Sequence, residues 1–96
     1  MMIKHIVFFK LKNRSAESVA EAADVLRSME GKIEQLKSLE IGTDILRTER
    51  SYDIALTATV ETLDDLQGYQ THPEHQKIIE YINGVKEVSY AVDYEI

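Results

Sequence analysis

Three histidines and a lone proline occupy two short stretches: His5 within the first apolar run, and His72 and His75 on either side of Pro73 in Tyr69-Gln-Thr-His72-Pro73-Glu74-His75. Histidine ionises near neutrality, so imidazoles that converge on one pocket are suited to bind, orient or deprotonate a small molecule. Tyr69 adds a hydroxyl able to donate to a carbonyl oxygen. His75 falls in the first turn of a helical pattern, where the dipole disfavours imidazolium, and lies three and four residues before Ile78 and Ile79 of a buried face. A neutral imidazole there is the natural general base. The plainer reading makes His5 and His75 satisfied core histidines, and His72 a capping or solvent-facing one. The His-x-x-His spacing lacks the i, i+4 geometry of a helical zinc pair, so no metal site from His5, His72 and His75 is expected, and no cofactor. The chain has no cysteine, Gly-rich phosphate loop or Ser-His-Asp order.

The elements that must position these groups follow from periodicity. Ile3 to Leu11 reads as a strand whose alternation puts His5, Val7, Phe9 and Leu11 on one face and Ile6 and Phe8 on the other. From Ser15, a good N-cap, the period becomes helical. Val19, Ala22, Leu26, Met29, Ile33 and Leu36 form one stripe, which predicts a long helix. Leu39 to Arg47 and Tyr52 to Glu61 read as a hairpin around a polar turn at Arg47 to Ser51. Thr62 with Asp65 has capping-box spacing and opens a short helix through Leu66 and Tyr69. Thr71 with Glu74 repeats the spacing and caps a second helical segment, with Pro73 in its first turn and Asn83-Gly84 at its end. Lys86 to Ile96 alternates as the last strand. Strand, helix, two strands, broken helix, strand is the split βαβ order of ferredoxin-like α+β folds, with one antiparallel sheet of four strands and the helices on one face.

At 96 residues the chain is one domain, 1–96, because a second would leave each half too small to bury a core. Eleven Lys and Arg against 17 Asp and Glu give a net charge of -6, which disfavours nucleic acid and anionic membrane surfaces. The N-terminal apolar run is too short for a signal core or a membrane span, so a soluble cytoplasmic protein is expected. Tyr52, Ile54, Leu56, Val60, Val88, Tyr90, Val92 and Tyr94 are assigned to the face under the helices. The opposite face, with Ile6, Phe8, Ala55, Thr57, Thr59, Ser89 and Ala91, is too apolar for water. A second sheet from an identical chain is the simplest cover, giving a homodimeric barrel.

Taken in order, Lys4-His5-Ile6-Val7-Phe8-Phe9-Lys10, Tyr52-Asp53 and Tyr69-Gln-Thr-His72-Pro73-Glu74-His75 resemble the stress-responsive A/B barrel (Dabb) domain family of the dimeric α+β barrel superfamily. The resemblance spans essentially the whole chain, and Tyr-x-x-His-Pro-x-His is its most specific part. It implies a dimeric barrel. Most members of the family have no assigned activity, while one branch closes linear polyketides by an intramolecular aldol reaction without metal or organic cofactor. In that branch the strand-one His, the Tyr and the last His line the pocket, and these roles fall on His5, Tyr69 and His75. A further tyrosine on the branch's long helix has no counterpart, since Ser15 to Ser38 contains no Tyr. The expectation is a pocket lined by His5, Val7, Phe9, Tyr69 and His75 that takes a small, partly apolar carbonyl ligand, with His75, His5 and Tyr69 as catalytic residues of a cyclase-like lyase. The rival expectations are a non-catalytic stress or assembly protein and, by analogy of fold, a cofactor-free or haem-degrading monooxygenase.

Overall fold

In the computed structural model, which describes residues 2–96, the chain runs β1 (Ile3–Leu11), α1 (Ala16–Arg27), β2 (Ser38–Thr43), β3 (Ile54–Val60), α2 (Leu63–Thr71), α3 (Pro73–Val85) and β4 (Lys86–Glu95). The strands form one antiparallel sheet in the order β2-β3-β1-β4, and the ferredoxin-like α+β architecture is as expected. The core lies between the sheet's inner face and the helices. Phe9 and Leu11 of β1 and Ile54, Leu56, Ala58 and Val60 of β3 meet Val19, Ala22, Ala23 and Leu26 of α1 and Ile78 and Ile82 of α3. No helix of the described residues is long and apolar enough to cross a membrane.

Helix starts follow their capping chemistry, with one exception. Ser15 Oγ accepts from Ser18 N, and Thr62 Oγ1 accepts from Asp65 N at 3.0 Å. The cap of α3 is His72 and not Thr71. His72 Nδ1 accepts from Glu74 N at 3.1 Å, while Thr71 turns back to donate to the Gln67 carbonyl. Pro73 explains the choice: the residue before proline is forced out of the helical region, and His72 is extended at φ -61, ψ 137. That break lets one segment fold as two helices. α3 also runs one residue past Asn83-Gly84, to Val85.

Three other expectations are corrected. The long helix ends at Arg27: short-range bonds from Met29 N to the Leu26 carbonyl and from Glu30 N to the Arg27 carbonyl tighten the chain, and Gly31 adopts φ +80. Met29 and Ile33 are still buried, so the stripe records burial and not helix length. β2 stops at Thr43 and β3 starts at Ile54, because the Asp44 carboxylate accepts from Arg47 N at 2.6 Å and closes a turn in which Arg47 has φ 59. The third correction is the facing of β4. Tyr90, Val92 and Tyr94 pair with Phe8, Ile6 and Lys4, so they share the outer face, and Tyr52 joins them against Phe8 and Tyr90. Ser89 and Ala91 pair with Phe9 and Val7 and face the helices. Alternation gives a strand's period but not its sign, and the more apolar set does not always point inward.

The buried polar group that ties these segments together is Asp53, wholly inaccessible to solvent. Its carboxylate accepts from Leu11 N at 2.8 Å and from Arg14 Nε at 2.9 Å, and its own N–H donates to the Phe9 carbonyl. Arg14 also donates to the Ser51 carbonyl at 2.8 Å. Removing one partner of a buried pair strands the other, so Arg14→Met is expected to cost about 3 kcal/mol in urea-induced unfolding. A loss within experimental error would mean that the nearby Arg47 compensates fully.

Candidate functional site

Alternation along β1 aims His5 at the helix layer, and the break at His72 turns α3 so that its first turn faces back toward the sheet. Between them lies Tyr69 at the end of α2, only 1% exposed. The Tyr69 ring is centred 4.4 Å from the His75 imidazole and 5.8 Å from that of His5. All three line one cavity of about 180 Å³. Val7, Phe9, Leu26, Met29, Leu56, Ile78, Ile79 and Ile82 supply its apolar wall. The structure thus brings His5, Val7, Phe9, Tyr69 and His75 together. It leaves out His72, whose Nδ1 is spent on the cap of α3.

The hydrogen bonds fix how the imidazoles present themselves. His75 Nδ1 lies 2.9 Å from the Gln70 carbonyl oxygen, which can only accept, so Nδ1 carries the proton and Nε2 keeps a lone pair. His5 Nδ1 pairs with the Asp93 carboxylate across the β1–β4 ladder, where the two residues stand directly opposite. The carboxylate holds that ring and its tautomer in the manner of an orienting acid. Burial lowers the pKa of His75 from its ordinary 6.5, and the neighbouring His5 and His72 reinforce the shift against the opposing Gln70 bond. Burial alone pushes the Tyr69 hydroxyl up to about 12. At neutral pH the cavity therefore holds a neutral imidazole beside a protonated phenol.

Asp93 escaped the sequence reading because the β4 face was assigned with the wrong parity. Its signal was available: it is the lone charged residue between Val88 and Tyr94. Lys86, Ser89 and Gln70 also line the cavity and were not anticipated.

A sheet of four antiparallel strands with its helices on one face, enclosing a His/Tyr-lined cavity between the layers, defines a ferredoxin-like α+β protein with an internal site. The chain belongs to the stress responsive A/B barrel domain family, whose match covers residues 3–96. Comparison with curated proteins gives no match. Among solved structures it is similar to a dimeric protein of unknown function and ferredoxin-like fold from Bacteroides fragilis, at 31% identity and TM-score 0.84 over 99% of this chain and 96% of that one. It is also similar to a dimeric ferredoxin-like protein of unknown function from Thermobifida fusca, at 26% identity and TM-score 0.87 over 100% and 92%. The hydroxynitrile lyase of Passiflora edulis shares the fold at 17% identity and TM-score 0.82 over 99% and 93%.

The lowered pKa of His75 has a definite sign in stability. Between the folded-state value and 6.5 the unfolded chain binds more protons, so stability is complete above 6.5 and falls as the pH drops through that window. The imidazole resonances of His75 are expected to titrate below 6.5 by NMR, and His75→Gln is expected to flatten the pH dependence of urea stability there. A His75 midpoint at or above 6.5 contradicts the burial argument.

Proposed function

We propose that the protein is a homodimer whose protomers each bind a small, partly apolar carbonyl compound in the inner cavity and abstract a proton next to its carbonyl without a cofactor. The observation that carries this reading is the Tyr69 ring packed against His75 in an apolar cavity, with the His75 Nδ1 proton committed to Gln70. In the proposed step the Cα–H bond breaks and its proton passes to His75 Nε2. The bonding pair becomes the C=C of the enolate, and the carbonyl electrons move onto oxygen. Tyr69 donates to that oxygen, and its elevated pKa keeps the phenol protonated until charge develops there. His5, held by Asp93, orients the carbonyl from the β1 side. The resulting enolate is the nucleophile of aldol-type cyclisation; a hydroxynitrile lyase, whose reaction also needs a base beside a carbonyl-forming centre but passes through no enolate, shares the fold.

The outer sheet face supports the dimer. Phe8, Tyr90, Val92 and Tyr94 are between 42% and 65% exposed there, a contiguous apolar surface too large for a small soluble chain to leave bare. The groove of about 410 Å³ lined by Phe8, Gly42, Tyr52 and Ala55 on the same face is where a second sheet would seat. Two of the similar structures are dimeric.

Catalysis is tested by deuterium incorporation into 2-heptanone in D2O, followed by NMR. The wild-type protein is expected to accelerate exchange at the positions flanking the carbonyl, His75→Gln to slow it about 100-fold, and Tyr69→Phe by roughly tenfold or more. Exchange indifferent to His75→Gln removes that residue as the base. Assembly is tested separately: Phe8→Glu places an unpaired charge between sheets and is expected to shift the sedimenting species from dimer to monomer. An unchanged sedimentation coefficient would move the interface elsewhere.

A further inference from the structure

The cavity has a cationic end. Along β4 the inward residues are odd-numbered from Asp93 to Ser89, each opposite an inward residue of β1. The register then shifts between Lys10 and Leu11, so that Leu11 stands opposite Lys86. That irregularity returns Lys86 to the inner face, where strict alternation would have sent it outward. Lys86 is partly buried and lines the same cavity as His5, Tyr69 and His75, and its Nζ donates to Ser89 Oγ at 3.2 Å. None of the ion pairs among the described residues involves Lys86, and no carboxylate residue lines the cavity. A part-buried ammonium whose near partner is a neutral hydroxyl is a ready counter-charge for an anionic ligand. At the opposite end of the β4 inner face, Asp93 is engaged with His5 and repels a second carboxylate.

We propose that the cavity selects carbonyl compounds bearing a carboxylate, with Lys86 Nζ and Ser89 Oγ holding the carboxylate and the apolar floor of Val7 and Phe9 carrying the body of the ligand toward Tyr69 and His75. This rests on the carbonyl-binding reading above and adds its substrate class. The gradient from Lys86 to Asp93 sets one orientation: acid group at the β4 start, carbonyl at the imidazoles. Lys86 is a specificity residue and takes no part in proton transfer.

The test is binding, kept apart from turnover. 4-Oxoheptanoate and its neutral isostere 4-oxoheptanamide are titrated into the intact protein at pH 7.5, and shifts of the Val7 and Phe9 backbone amides are followed by NMR. The wild type is expected to bind the acid about tenfold more tightly than the amide, the scale of one hydrogen bond to a charged group. Lys86→Met is expected to bring the ratio close to one while leaving the amide's affinity unchanged, and Lys86→Arg to keep the acid preference. His75→Gln is expected to retain the preference, so failure of the proton-abstraction reading leaves this result standing. Equal affinities in the wild type, no binding of either compound, or a preference that survives Lys86→Met overturns the proposal.

Discussion

The Asp53 carboxylate, excluded from water and shared between Leu11 N and Arg14 Nε, is the contact on which the arrangement of the site depends. It joins the end of β1 and the loop leading into α1 to the loop before β3, 42 and 39 residues further along the chain. Apolar replacement of such a pair is often neutral or even stabilising, so its value lies less in net free energy than in where it holds the backbone. What it holds is the last residue of β1, beside the register shift that turns Lys86 inward. A chain free to slip by one residue there would exchange the inner and outer sets of β4.

Burial supplies the electrostatics of the cavity as a single cause with two useful results. Removing water disfavours the charged form of any group, so the phenol of Tyr69 keeps its proton and the imidazole of His75 stays without its second one. One becomes a donor and the other an acceptor at the same pH. No separate device is needed to set them apart, because the two groups ionise in opposite senses. The Gln70 carbonyl then decides which nitrogen of His75 remains open.

That His5 shares a face with Val7, Phe9 and Leu11 was legible from the two-residue period, and the inward sense of that face follows from the buried residues Ile3, Phe9 and Leu11 on it. His75 and Tyr69 were legible through the segment around Pro73, whose backbone restriction is local. What the sequence did not reveal depended on longer-range geometry. The face of β4 is set by pairing with β1, and with it went Asp93, the partner of His5, and Lys86. The end of α1 at Arg27 was hidden because buried turns keep apolar residues at nearly helical spacing, as Met29 and Ile33 do. The cap of α3 was misplaced by one residue because the spacing of Thr71 and Glu74 fits a capping box, while the preference of the residue before proline for extended backbone favours His72.

The two faces of the sheet are not independent. β4 lies at the sheet edge and pairs only with β1, so Asp93 is held in place on one side alone. Its flanking residues Val92 and Tyr94 point the other way, onto the exposed apolar face. In the proposed dimer a second sheet packed on Tyr90, Val92 and Tyr94 braces the strand that carries Asp93, and so steadies the tautomer of His5. Association then does more than cover apolar surface. An edge strand open to solvent is among the first parts of a domain to fray, and fraying of β4 would release His5 and Lys86 together. In that proposed dimer the apolar residues that face away from the cavity would thus help to set the geometry within it.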